Sequence, residues 1–199
     1  QAAYGTEAPL IATAGAQAAI QMVPLLASRG TARVLGPTYN EHAGALTAAG
    51  WQVETVARPE DLSGADLAVV VNPNNPDGRW LDRATLRDLA GRVGRLIVDE
   101  SFADPMPGQS LAAEASGRLI VLRSFGKFYG LAGLRLGFLI ADSAVIDTVS
   151  ALSGPWPVSG PAIAIGAEAL ADRNWANATT ARLFDEATRI DQLAARAGW

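Results

Sequence analysis

The sequence predicts an α/β fold built on a mostly parallel sheet. Three observations carry this. Short apolar runs of strand length alternate with helix-spaced patterns along the chain, as βα units do. Apolar residues make up 49% of 199 residues, enough for the core of one large domain. Polar residues of interest gather where the expected strands end, which is where open α/β sheets place their ligand crevice.

The elements follow in order. Residues 15–28 have helical spacing, with Ala19, Ile20, Val23 and Leu26 inward and Pro24 as a kink or irregular turn. Residues 32–35 read as a short strand. Gly36-Pro37-Thr38-Tyr39 turns into a helix of about ten residues that ends at Gly50, a suitable residue to follow a helix. Residues 51–56 alternate like a strand, and 66–71 form a continuous apolar one. Asn72-Pro73-Asn74-Asn75-Pro76-Asp77-Gly78 forbids regular structure. Asp82 can cap a helix reaching Arg92. Strands are expected at 95–98, ending in Asp99-Glu100, at 118–122, ending in Arg123-Ser124, and at 136–141. Asp142 or Ser143 caps the next helix, Gly154-Pro155-Trp156-Pro157 breaks the chain, and two helices occupy 159–171 and 175–197.

Bulk properties remove several functions. A net charge of −4 and 7% aromatics argue against a nucleic-acid partner. With no cysteine there is no disulfide or thiolate chemistry, and the cytoplasm is the default compartment. No apolar run approaches the ~20 residues that span a bilayer, so no membrane partner is expected, and no signal peptide is visible. A start at Gln1 and an end at Trp199 directly after a helical pattern lead to the expectation that this is a segment of a longer protein.

Within this frame Lys127 stands out. It is the one lysine; the other 15 of 16 basic side chains are arginine. A guanidinium stays charged, whereas an amine whose pKa is lowered can attack a carbonyl. Lys127 lies in a Gly-rich, aromatic stretch, and it is either a cofactor-bearing amine or a surface lysine.

Its expected neighbours have two readings each. Asp99, at a buried strand end, needs a partner: a protonated heterocyclic nitrogen, an arginine, or a helix terminus. Glu100 should point to the opposite side of the sheet. Thr13-Ala14-Gly15-Ala16-Gln17 opens a helix with small residues, so the amides of Ala16 and Gln17 suit a phosphate. Ser124 and Arg135 can add charge-assisted bonds to the same group, or Arg135 is a surface arginine. Tyr39 can stack on a planar ring or sit half-buried in the core. Asn75 can donate to a phenolate oxygen or close an Asx-turn. Other chemistries lack their parts. The Lys127 stretch is no P-loop, and no Gly-x-Ser-x-Gly elbow exists. One histidine, His42, without cysteine makes a poor zinc set, and no metal is expected.

Together the stretches resemble the large domain of fold-type I pyridoxal-phosphate enzymes, the class I/II aminotransferase superfamily, over residues 10–160. Asn72-Pro73-Asn74-Asn75-Pro76-Asp77-Gly78 is similar to the family's Asn-Pro-x-Asn-Pro-Thr-Gly. Val98-Asp99-Glu100-Ser101-Phe102 is similar to its Asp-Glu-Ala-Tyr, and Ser124-x-x-Lys127 followed by Gly133-x-Arg135-x-Gly137 to its lysine motif.

The resemblance implies a three-layer α/β/α large domain with one antiparallel strand at 136–141, and a small C-terminal domain largely absent. It implies residues 1–172 as the cofactor-binding domain and 173–199 as a helix leading to the small domain. By resemblance, pyridoxal 5'-phosphate is bound covalently by Lys127, which also moves protons. Asp99 pairs with the pyridine nitrogen, Asn75 contacts the ring oxygen, Tyr39 stacks on the ring, and Ala16, Gln17, Ser124 and Arg135 hold the phosphate. A homodimer is likewise implied. Phe102 departs from the common tyrosine, so the hydroxyl contact to the ring oxygen is lost or supplied elsewhere.

Phe102, Asp104 and the stretch from Gly154 to Pro161 are similar to the threonine-phosphate decarboxylase branch of cobalamin biosynthesis, near histidinol-phosphate aminotransferases. The expected reaction is decarboxylation of L-threonine O-3-phosphate, a phosphorylated amino acid. The alternatives are transamination of the histidinol-phosphate type, or a cofactor-binding core without turnover, because the substrate-carboxylate clamp of the family lies in the small domain.

Overall fold

The computed structural model describes residues 1–199. Seven strands form one sheet: β1 (Leu10–Ala14), β2 (Thr31–Leu35), β3 (Gln52–Val56), β4 (Leu67–Val71), β5 (Arg95–Asp99), β6 (Leu119–Ser124) and β7 (Leu136–Ile140), in the order β1-β7-β6-β5-β4-β2-β3. The pairs among β2 to β6 are parallel, and β7 runs antiparallel to both β6 and β1. Six strands therefore end at one edge of the sheet, and β7 begins there.

Strand alternation divides the core in two. Leu67, Val69, Ile97, Ile120, Leu122 and Leu139 face one layer. That layer holds α1 (Gly15–Met22), α2 (Glu41–Ala48) and α4 (Ser143–Ser153), through Ala19 and Ile20, Ala45 and Leu46, and Val145 and Val149. Ala68, Val70, Leu96, Val98, Leu119 and Val121 face the other, where α3 (Arg83–Arg92) contributes Leu86 and Leu89. The result is the expected three-layer α/β/α sandwich. Beyond it α5 (Gly160–Ala171) packs near Leu136 and Phe138, and α6 (Arg173–Arg196) lies mostly exposed.

The helix starts obey local chemistry. Asp82 accepts from Thr85 N at 2.7 Å, and Asp142 from Val145 N at 3.0 Å. Gly50, with φ +86, follows α2 as expected.

Two elements differ from expectation. β1 was not anticipated: its five residues, Leu-Ile-Ala-Thr-Ala, include two alanines and carry little apolar contrast, and only pairing with β7 makes them a strand. α1 stops at Met22 rather than running to Ser28, and Val23–Leu25 is a 3₁₀ turn. Pro24 has no amide to donate and its ring would crowd the carbonyl of Ile20, so the helix cannot continue through it. No helix is long and apolar enough to cross a membrane.

Candidate active site

All the residues singled out for a site line one cleft at the strand tips: Ala16, Gln17, Tyr39, Asn75, Asp99, Ser124, Lys127 and Arg135. The cleft holds about 680 Å³ of space between atoms and opens to solvent. Its floor is the ends of β4, β5 and β6, through Val71, Asp99 and Ser124, and its wall is the first turn of α1. Residues far apart in sequence meet because parallel strands deliver their C-terminal ends to one edge.

Asp99 is the most constrained group. It is 2% exposed, and its two carboxylate oxygens have separate partners. His42 Nε2 lies 2.8 Å from Oδ2, and Ser101 donates to Oδ1 through both its amide, at 3.0 Å, and its hydroxyl. Burial works to raise this carboxyl. The hydrogen bond and charge of His42, with the two bonds from Ser101, outweigh it and hold the group below the usual carboxylate range. The partner of Asp99 within the chain is thus neither an arginine nor a helix terminus. It is the one histidine, which the sequence offers only as a poor zinc ligand. His42 lies in the first turn of α2, three residues after Tyr39, which precedes the helix. Tyr39 packs edge-on against His42, ring centroids 6.4 Å apart, and is 40% exposed over the cleft, so it is not a core tyrosine.

The loop after β4 assigns its asparagines different work. Asn72 exchanges hydrogen bonds with Leu81, donating to its carbonyl at 3.0 Å and accepting from its amide at 2.7 Å. Asn74 binds Pro37 O, Thr38 and Asp77. Those two side chains close the loop. Asn75 is exposed in the cleft, and its amide bonds to nothing in the chain, so no Asx-turn accounts for it.

Two glycines bring the first turn of α1 into place. A Cβ on Gly137 would lie 2.4 Å from Ala16 N and 2.6 Å from the Gly15 carbonyl carbon, so β7 can carry α1 at this distance only with glycine there. Gly15 has φ +74, and a Cβ on it would sit 2.6 Å from Arg135 Nη2. The Arg135 guanidinium therefore covers the helix start, and Nη1 donates to Ala132 O at 3.1 Å. Arg135 itself adopts the left-handed region, φ 53, ψ 50, which is uncommon for a side-chain-bearing residue. Gln17 bonds Glu41 at 2.7 Å and receives the Tyr39 hydroxyl at 3.3 Å, so its side chain braces the wall.

Lys127 is exposed on a loop anchored by its aromatic neighbours. Phe125 stacks on Tyr129 at 4.2 Å between centroids, and Tyr129 stacks on Trp175 of α6 at 5.7 Å. Lys127 Nζ lies 5.4 Å from the centre of the Phe102 ring. Where the related motif carries a hydroxyl, this chain sets an apolar ring beside the amine.

On the reverse face of the same strand tips lies a buried ion network. Arg123 donates to Glu100 at 2.7 Å and to Asp104 at 2.5 Å, all three side chains being at most 5% exposed. Glu100 also accepts from Ser110 and from Leu111 N. Burial lowers the Arg123 guanidinium, but Asp104 and Glu100 more than reverse this and raise it. Asp104 remains above the usual carboxylate range, because burial outweighs Arg123. Glu100 does point away from the cleft, as the alternation required.

A lysine, a buried carboxylate and a guanidinium-covered helix start thus meet at the carboxyl edge of a three-layer α/β/α domain. The chain belongs to the aminotransferase class I and II family, whose model matches residues 1–199. It is 43% identical over 205 aligned positions to a threonine-phosphate decarboxylase of Pseudomonas aeruginosa, covering 98% of this chain and 61% of that protein. It is 49% identical over 159 positions to a threonine-phosphate decarboxylase of a Sinorhizobium species, covering 76% and 48%. The chain thus spans roughly half to three fifths of these relatives' lengths. The histidinol-phosphate aminotransferase of Sinorhizobium meliloti, solved in complex with pyridoxal-5'-phosphate, superimposes with TM-score 0.84 at 21% identity, over 95% of this chain and 57% of that one. This likeness establishes the fold.

Proposed function

We propose that this chain is the cofactor-binding part of a pyridoxal-phosphate-dependent enzyme that decarboxylates L-threonine O-3-phosphate, a step of cobalamin biosynthesis. The observation that carries the cofactor is the convergence of Lys127, Asp99 and Arg135 on one cleft. The two decarboxylase relatives, at 43% and 49% identity, support the reaction.

The donor set fits the group. The buried Asp99 carboxylate, held ionised by His42 and Ser101, matches a protonated ring nitrogen. The α1 amides, Ser124 and Arg135 suit a phosphate, and the free Asn75 amide suits a ring oxygen. Bound there, pyridoxal phosphate supplies an electron sink for the bond broken at the substrate's Cα. Asp99 keeps the ring nitrogen protonated. Lys127 holds the cofactor before substrate arrives, and afterwards its amine can return a proton to the carbon that has lost carbon dioxide. Phe102 leaves the ring oxygen to Asn75.

We assign residues 1–172 to cofactor binding and 173–199 to the connection with a small domain, in a cytoplasmic homodimer. The exposed apolar side chains of α5 and α6, among them Ile163, Ile165, Leu183 and Phe184, support further packing partners.

Borohydride reduction in the presence of pyridoxal phosphate tests the cofactor role. The expected result is one covalent adduct that maps to Lys127; an adduct persisting in Lys127→Ala overturns it. Incubation with L-threonine O-3-phosphate tests the reaction. Carbon dioxide and the corresponding phosphorylated amine are expected, whereas a keto acid with pyridoxamine phosphate, and no amine, means transamination.

A further inference from the structure

A second hollow opens between the Lys127 loop and α6. It shares Phe102, Gly126 and Lys127 with the cleft at the strand tips, so the two spaces meet at the lysine. Its far side is α6, through Thr179 and Arg182. Positions three apart on a helix lie on one face, so the hydroxyl and the guanidinium are presented together.

Three features of this hollow are unbalanced. It carries two cationic side chains, Lys127 and Arg182, and no Asp or Glu lines it. Arg182 has acidic neighbours one turn away, Asp185 and Glu186, yet pairs with neither; Glu186 instead binds Arg189 at 2.8 Å. Thr179 is 7% exposed, and its hydroxyl has no hydrogen-bond partner. Thr148 and Thr188, on exposed helix surface, return theirs to the carbonyl four residues back at 2.9 Å. Nor is the Thr179 hydroxyl among the fully enclosed unpartnered atoms, so it reaches the hollow. A nearly buried hydroxyl with no partner, beside an unpaired guanidinium, is a set of donors lacking its acceptor.

We propose that Thr179 and Arg182 form an oxyanion subsite beside Lys127 and that it takes the phosphate of the substrate. The inference rests on the reading of Lys127 as the cofactor-bearing residue, and it deepens that reading. A guanidinium offers two parallel N–H bonds to a phosphate, and the hydroxyl offers a third. Arg135 and the α1 amides lie in the strand-tip cleft and do not line this hollow. The chain then carries part of its own substrate recognition on α6, ahead of any small domain.

The test uses the full chain loaded with pyridoxal phosphate and reduced with borohydride, so that the cofactor's own phosphate site is filled. Inorganic phosphate is titrated by calorimetry, with acetate as the second arm. The expected result is measurable phosphate binding, weakened about tenfold or more in Arg182→Gln and several-fold in Thr179→Val. Thr179→Ser and Arg173→Ala, the latter outside this hollow, should retain it. Equal phosphate affinity in Arg182→Gln and the parent, or no phosphate binding to the parent adduct, overturns the subsite alone. Acetate binding as tightly as phosphate, with the same dependence on Arg182, overturns the assignment to phosphate. Failure to form the Lys127 adduct at all overturns the proposed function and this inference with it.

Discussion

Asp99 and Glu100 are neighbours in sequence, as are Arg123 and Ser124, yet each pair is split between opposite faces of the sheet. On the reverse face the buried Arg123 pairs with two carboxylates, Glu100 and Asp104, while its Nε and Asp104 Oδ2 find no partner. On the front face Asp99 meets a histidine and a serine, while Lys127, Asn75 and Arg182 have no partner in the chain that answers their charge or polarity. Both faces are rich in polar groups. The reverse-face network ties the strand tips together through its ion pairs, whereas the front face gathers cationic and amide groups that no carboxylate of the chain answers. Burial of charge is therefore a poor guide to function on its own.

The contrast can be broken from either side. The largest effect is expected at the front: Lys127→Ala should abolish borohydride-trapped cofactor while leaving the urea midpoint near that of the parent, because an exposed side chain is removed. Mass spectrometry and equilibrium unfolding check the two halves of that statement. At the back, Arg123→Met should cost about 3–5 kcal/mol of stability by leaving two buried carboxylates unpaired, again read by urea unfolding.

A third experiment addresses pH. The Asp99 carboxyl lies below its unfolded value of about 3.9, so its contribution to stability is present above that value and is lost as pH falls through the folded pKa. The stability advantage of the parent over Asp99→Asn should thus be full near neutrality and shrink below about pH 4, as followed by unfolding at stepped pH. The smallest effect belongs to neither face. Asp142→Ala removes the α4 cap and should cost about 1 kcal/mol with no change in cofactor trapping. A larger loss there would mean that the α4 layer contributes to the site.

Most of the cleft's lining was legible in the sequence. Strand ends were visible as apolar runs stopping at Asp99, Ser124 and the Asn-Pro stretch, and the reversal of β7 followed from the family resemblance. His42 was not legible as the partner of Asp99, because the bond joins α2 to the end of β5 and spans 57 residues. β1 was hidden for a related reason: an edge strand of small residues gains its identity from pairing with β7 rather than from its own pattern. The α6 subsite escaped notice because Thr179 and Arg182 look like any polar helix residues until their missing partners are seen.

By itself the sequence determined the period of each element, the positions of the caps, the solitary lysine and the order of the motifs. These depend on neighbours within a turn or a strand, where backbone geometry leaves few choices. Tertiary structure alone decided which buried charges are paired. The pairing of Asp99 with His42, and of Arg123 with Glu100 and Asp104, is set by contacts between elements far apart in sequence, and no local pattern encodes them.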